Sequence, residues 1–157
     1  MSWATCTAGH QHWGRRGAAG LLLARRGTAL LQLRASWVHR GGTWSVPGGA
    51  LERRETAVDA ALREASEELG MPADQVTVTG ARTAECGGWT YETVLGHPHG
   101  ELHLHDGAES DDHRWVPWLE VADLPLHPSF RLAWEHPDGV LRGFVKSSAE
   151  PGGRPRG

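Results

Sequence analysis

The amino-acid sequence predicts a single α/β domain, and three observations carry that expectation. Two apolar runs, 18–25 and 28–34, flank Arg26-Gly27; a helix with both ends marked follows a Gly-rich loop; and further segments of alternating character come after it. At 157 residues the chain has the size that commonly folds around one core.

Each element has a local reason. The runs 18–25 and 28–34 read as a β-hairpin because Arg26-Gly27 between them is a turn signal. The stretch 41–49, with Gly41, Gly42, Pro47, Gly48 and Gly49, is too rich in Gly and Pro for helix and suits a shaped loop around one short strand. Thr56 is placed to cap a helix, with Asp59 three residues on as the acidic partner of a capping box. Residues 57–69 are mostly strong helix formers, and Gly70 stops them. Beyond Pro72, strands are expected at 76–81, 90–96, 101–105 and 113–118, then a short helix over 128–136 with Leu132 and Trp134 partly buried. A last strand-like segment follows at 139–146. From Ser147 the chain is polar and rich in Pro and Gly, so the expected domain is 1–146 with a disordered tail over 147–157.

Composition narrows the function classes. No apolar run approaches the roughly 18 residues that span a bilayer, and residues 1–10 lack a secretory pattern, so a cytoplasmic protein with no membrane partner is expected. The formal net charge of −3 and scattered basic residues, with Lys146 as the sole lysine, argue against extended nucleic-acid binding. Two cysteines, Cys6 and Cys86, are too few for a disulfide framework.

The chemistry sits on the helix. Glu64, Glu67 and Glu68 fall at i, i+3 and i+4 and share one face, where they repel unless a cation gathers them. A hard divalent ion such as Mg²⁺ takes oxygen ligands and leaves positions for water and phosphate oxygens. Ala57, Ala61 and Ala65 lie on the opposite face and allow close packing on a sheet.

From Gly49 to Met71 the chain runs Gly49, five residues, Glu55, seven residues, then Arg63-Glu64-Ala65-Ser66-Glu67-Glu68-Leu69-Gly70-Met71. This resembles the box of the Nudix hydrolase family, G-x5-E-x7-R-E-U-x-E-E-x-G-U, at every invariant position, with Ala65 smaller than the usual aliphatic residue. The entry Trp44-Ser45-Val46-Pro47-Gly48-Gly49 is also similar to the family's. The resemblance implies an α/β/α sandwich around a mixed β-sheet and a Mg²⁺ cofactor, with Mn²⁺ able to substitute. Glu64, Glu67 and Glu68 are its implied ligands, joined by the Gly48 carbonyl, while Glu55 and Arg63 hold the carboxylates in place. A further acidic residue from a later loop completes such sites or acts as base; Glu109 is favoured for reach, then Asp112. Glu67, Glu68 and the loop residue all stay open as the base that takes a proton from the attacking water.

The implied function is hydrolysis of the phosphoanhydride bond in a nucleoside diphosphate linked to X, leaning towards a MutT-like nucleoside triphosphate pyrophosphohydrolase for oxidised nucleotides. The alternatives are an RNA 5′-end pyrophosphohydrolase and a non-catalytic nucleotide-binding module of the same fold. Markers of other family subgroups are missing: Cys86, Gly87, Gly88 and Trp89 stand where a Pro or Tyr would mark ADP-ribose or dinucleoside polyphosphate specificity. The partner is a small nucleotide; homodimerisation is left open.

Other signals are weaker. Cys6, His10 and His12 lie close together, but structural zinc normally takes four ligands and the spacing fits no standard finger, so a packed N-terminus is the preferred reading. In 101–105, His103 and His105 alternate with Leu102 and Leu104 as on an exposed edge strand. Trp44, Trp89, Trp115 and Trp118 read as core residues before base-stacking ones. Gly14, Gly17 and Gly20 do not form a dinucleotide fingerprint, and no P-loop, G-x-S-x-G or C-x-x-C pattern occurs.

Overall fold

Strand β3 (Ala18–Arg25) is buried along almost its whole length, which requires that both faces of its sheet be covered. The computed structural model, which describes residues 3–149, shows how. Strand β4 (Thr28–Arg34) returns antiparallel through Arg26 and Gly27, both at positive φ (53° and 76°), the mirror-image turn that suits a two-residue hairpin. The hairpin pairs only at its closed end. Where β3 and β4 diverge, β5 (Trp44–Ser45) pairs with β4 and β6 (Gly48–Ala50) pairs with β3, so the Gly-rich stretch fills the gap.

On its other side β3 runs parallel to β8 (Trp89–Pro98), which pairs antiparallel with β7 (Val76–Cys86). Strand β9 (Ser110–Pro117) pairs with the outer edge of β4. The seven-stranded sheet is therefore mixed. A separate two-stranded hairpin, β1 (Trp3–Thr5) and β2 (Gln11–Trp13), precedes it.

The period of two along β3 and β4 divides their side chains between two cores. Ala19, Leu21, Leu23 and Leu30 pack with Ala60, Ala61, Ala65 and Leu69 of α1 (Ala57–Leu69). Leu22, Ala24, Ala29 and Leu31 face Phe130 and Trp134 of α2 (Pro128–Trp134) and Leu141 and Val145 of α3 (Val140–Ser147). This is the α/β/α sandwich. Ala65 is fully buried, so its small size sets a close helix-to-sheet approach.

Helix α1 is closed at both ends as its sequence predicts. The Thr56 side chain accepts from the Asp59 N–H while the Asp59 carboxylate accepts from the Thr56 N–H, and Gly70 in the left-handed region returns its N–H to the last turn.

Two expected strands are corrected. Among the described residues segment 101–105 pairs with no strand: the His105 N–H donates to the Leu69 carbonyl and the Gly107 N–H to the Glu68 carbonyl, so this loop satisfies the open end of α1 instead. Its alternation survives as exposure, with Leu102 and Leu104 against the α1 core and His103 and His105 outside. Segment 139–146 is not a strand but is almost wholly helix α3, because Leu141, Phe144 and Val145 recur at helical spacing. Ser147 is the last residue of α3, and the Ser148 hydroxyl accepts from the Gly27 N–H at 2.9 Å, so residues 147 and 148, expected in the tail, pack onto the fold. The remainder of the expected tail, 150–157, lies outside the described residues. The second helix ends at Trp134, two residues short of expectation, and Leu132 is exposed rather than partly buried. No helix among the described residues is long and apolar enough to cross a membrane.

Of the tryptophans, Trp44 and Trp134 are core, whereas Trp115 and Trp118 are half-buried beneath Arg25 and Lys146, with the cations 4.6 and 5.3 Å from the ring centroids.

His127 caps α2 as a neutral acceptor, taking the Ser129 N–H on Nδ1 at 3.1 Å. Burial, then Arg34, Arg40 and His39, depress its pKa to about 4. A histidine depressed on folding contributes stability that is present above its unfolded value of 6.5 and is lost as pH falls towards 4. The His127→Asn variant keeps a capping acceptor without the titration, so it should lose about 1–2 kcal/mol less than the parent between pH 7 and pH 4, after allowance for solvent screening. Urea unfolding at both pH values measures this, and equal losses in the two proteins would contradict it.

Candidate active site

The site begins with the Gly-rich filler between β3 and β4. Pro47 lends its carbonyl to the Leu21 N–H at 2.9 Å, and Gly48 and Gly49 continue as β6 beside β3. Both glycines are needed for space. A Cβ on Gly49 would lie 2.5 Å from Glu64 Oε2, and one on Gly48 would lie 2.6 Å from the Ala19 carbonyl. The acidic face of α1 thus presses directly on the β6 backbone.

Arg63 organises that face. Its Nε donates to Glu55 Oε2 at 2.6 Å and its Nη2 to Glu55 Oε1 at 3.0 Å, a two-pronged ion pair, while Nη2 also reaches the Ala50 carbonyl at 3.0 Å. The other terminal nitrogen, Nη1, donates to Glu64 Oε2 at 2.9 Å and lies 3.3 Å from Glu67 Oε1. The guanidinium holds the Glu55 carboxyl below its usual range, and Arg63 is stabilised in return as a permanent cation. Glu55 also takes the Glu52 N–H at 2.7 Å, closing the loop that leads into α1. Glu52, in the unconstrained part of the box, nevertheless comes within 3.6 Å of the Arg63 Nε.

Glu68 is only 6% exposed. Gln32 of β4 donates its side-chain N–H to one oxygen and Gly48 donates its backbone N–H to the other at 3.2 Å. Burial is the largest influence on this carboxyl and pushes its pKa up to about 8; Gln32 opposes the rise, while Glu64 and Glu109 add to it. Glu67 is exposed, so the three box glutamates span from the interior to solvent.

The donor set suits a hard divalent cation. Glu55, Glu64 and Glu67 share one guanidinium while Glu68 is held by Gln32 and Gly48, all their ligand atoms are oxygens, and among the described residues the buried Gln32 Oε1 has no hydrogen-bond partner. Glu109 acts on the charge of Glu68, and its backbone carbonyl accepts from the Ala35 N–H at 3.0 Å. Asp112 instead turns its carboxylate to the His113 N–H at 2.8 Å. The acidic loop is clipped by Asp106, which accepts from the Ser110 hydroxyl at 2.9 Å and stands 3.0 Å from the His113 ring.

Gln32 and Asp106 were not singled out by sequence reasoning. Gln32 had one legible signal, a lone amide inside the apolar run 28–34; Asp106 had none. An open groove of about 370 Å³ lies elsewhere, lined by Arg15, Arg16, Gly17 and Trp89 among others and by none of the box glutamates.

A family profile described as the NUDIX domain matches residues 14–138. A Mycobacterium tuberculosis protein named "Putative 8-oxo-dGTP diphosphatase 3" is 47% identical over 144 residues, covering 85% of this chain; the chain spans 66% of that relative's length. A Bifidobacterium longum protein named as a nucleoside triphosphate pyrophosphatase/Nudix hydrolase fusion is 35% identical over 78% of this chain and 27% of its own length. The solved structure of RenU, a Nudix hydrolase from M. smegmatis, superposes with a TM-score of 0.79 at 44% identity, covering 88% of this chain and 93% of that one.

The burial of the Glu68 carboxyl, with Glu64 and Glu109 nearby, predicts a stability effect. A carboxyl raised on folding contributes stability that is complete below its unfolded value of 4.5 and is lost as pH rises through about 8. In metal-free protein at pH 8.5, Glu68→Gln should therefore be more stable than the parent by about 1–3 kcal/mol, with the gap closing at pH 5. Thermal melts in chelator measure it. A variant less stable than the parent at pH 8.5 would sink this account of the buried carboxylate.

Proposed function

The chain belongs to the Nudix hydrolase family, and from that footing we propose that it hydrolyses nucleoside triphosphates to the monophosphate and pyrophosphate, with oxidised purine nucleotides as the substrate class. The name of the M. tuberculosis relative and the nucleoside triphosphate pyrophosphatase named in the B. longum fusion support this substrate class. The observation that carries the reading is the convergence of Glu64, Glu67 and Glu68 beneath the glycine turn, with Glu68 fixed from two sides and Glu67 left open to solvent.

In this reading Glu64, Glu67, Glu68 and the Gly48 carbonyl hold Mg²⁺ or Mn²⁺, with Glu109 completing the set and Asp112 left to cap its own strand. Such an ion would supply neutralisation of phosphate charge and activation of water for attack. Arg63 and Glu55 are positioning residues: their ion pair and the bond from Arg63 to the Ala50 carbonyl set the acidic helix against β6. Glu67 and Glu109, both exposed, are the carboxylates free to accept the proton released as water adds to phosphorus and the bridging P–O bond breaks.

A product panel of nucleoside triphosphates, their oxidised forms, dinucleoside polyphosphates and capped RNA tests the assignment, and turnover should vanish in chelator. Glu67→Gln and Glu68→Gln should each lower kcat by roughly 10² to 10⁵ on the preferred substrate. Glu52 is too close to Arg63 to serve as a neutral control, so the exposed Glu120→Gln takes that place and should leave kcat unchanged. Turnover like the parent's in both helix variants would reduce the acidic face to a solvated surface.

A further inference from the structure

A second cluster of ligating side chains gathers where the N-terminal hairpin meets the end of β7. The fold brings Cys86, at the end of β7, beside Cys6, His10 and His12 of the N-terminal hairpin, and one ligand atom from each falls within 4.8 Å of all the others. Cys6 Sγ and Cys86 Sγ are 3.3 Å apart, and His10 Nδ1 is 3.0 Å from Cys86 Sγ. Among the described residues the buried His12 Nε2 has no hydrogen-bond partner. The fourth ligand that the local spacing lacks is thus supplied from 74 residues beyond His12 in the sequence.

We propose that Cys6, His10, His12 and Cys86 bind one structural zinc ion, which clips the β1–β2 hairpin to the β7–β8 turn. Zinc takes four sulfur and nitrogen ligands at about 2.3 and 2.0–2.1 Å, so the edges of its tetrahedron run to roughly 3.3–3.8 Å, close to the spacings seen here. Thiolate and imidazole select zinc over the hard ions that suit the glutamate site. The two chain segments are built to meet. The Thr7 N–H donates to the Gly87 carbonyl at 2.9 Å, and a Cβ on Gly87 would come within 2.6 Å of the Ala8 nitrogen. His12 stacks on Trp89 with ring centroids 4.1 Å apart, and Trp89 donates its indole N–H to the Gly14 carbonyl at 2.7 Å.

A hairpin of two three-residue strands is marginal by itself in water, so an anchor of this kind has a clear structural use. A simple disulfide between the cysteines would leave His10 and His12 unexplained. Binding deprotonates both thiols, so it should strengthen with pH and release protons.

The test uses the full chain purified in reductant without chelator. The expected result is one zinc per chain by plasma mass spectrometry, retained through dialysis against Mg²⁺, with both thiols shielded from Ellman's reagent until zinc is removed. Cobalt substitution should give the visible bands of a tetrahedral site together with a thiolate charge-transfer band. Zinc should fall to background in Cys86→Ser and in His10→Ala, and persist in Glu67→Gln, which separates this site from the catalytic one. If Cys86→Ser does not fold, the cobalt spectrum and thiol protection of the parent still decide. Parent protein holding no zinc, whether its thiols are free or joined as a disulfide, would overturn the proposal. So would zinc that survives in a folded Cys86→Ser variant.

Discussion

Arg63 grips Glu55 through two nearly parallel N–H···O bonds, and the acidic face of α1 depends on that grip. The pair joins the helix to the loop before it, and through the Ala50 carbonyl it joins both to the sheet. A guanidinium suits this place because its planar fork serves Glu55, Glu64 and Ala50 at once, which a lysine ammonium on a flexible stem does not reproduce. Its single positive charge is too little for the carboxylates around it. What remains is an acidic pocket whose innermost member, Glu68, is buried, and a divalent cation there would offset the clustered carboxylates.

The sheet makes room for this pocket by failing to zip. Had β3 and β4 paired along their full length, the backbone of Gly48 and Gly49 would have no place between them. Because they part after the turn, β6 lies against β3 with its glycines under the helix, and Gln32 on β4 reaches Glu68 from the other side. The same divergence therefore sets both the narrow helix-to-sheet distance, which Ala60, Ala61 and Ala65 permit, and the hydrogen bonds that hold Glu68.

How much of this was legible in the sequence differs by residue. The caps of α1, the hairpin turn and the three glutamates are local patterns, governed by neighbours within a few residues, and they read directly. Gln32 and Cys86 act through partners far along the chain, and no periodicity announces them. Segment 101–105 misleads because alternation reports which side chains face the core, not whether the backbone finds a strand partner; here it finds the end of a helix. Segment 139–146 misleads in the opposite way, since a short apolar stretch is compatible with either period until its packing is seen. Ser147 to Ala149 read as tail because they are small and lead into a Pro- and Gly-rich stretch, yet Ser148 is held by Gly27.

The central claim is that the glutamate face of α1 is a divalent-cation site built by Arg63, Glu55 and the glycine turn. Anomalous diffraction from crystals soaked with Mn²⁺ and a non-hydrolysable nucleoside triphosphate tests it most directly, since it locates the ion without reference to turnover. A manganese peak bridging the Glu64 and Glu68 carboxylates and the nucleotide phosphates is the result this account predicts. Manganese bound elsewhere on the protein, with the glutamates still paired only to Arg63 and Gln32, would contradict it.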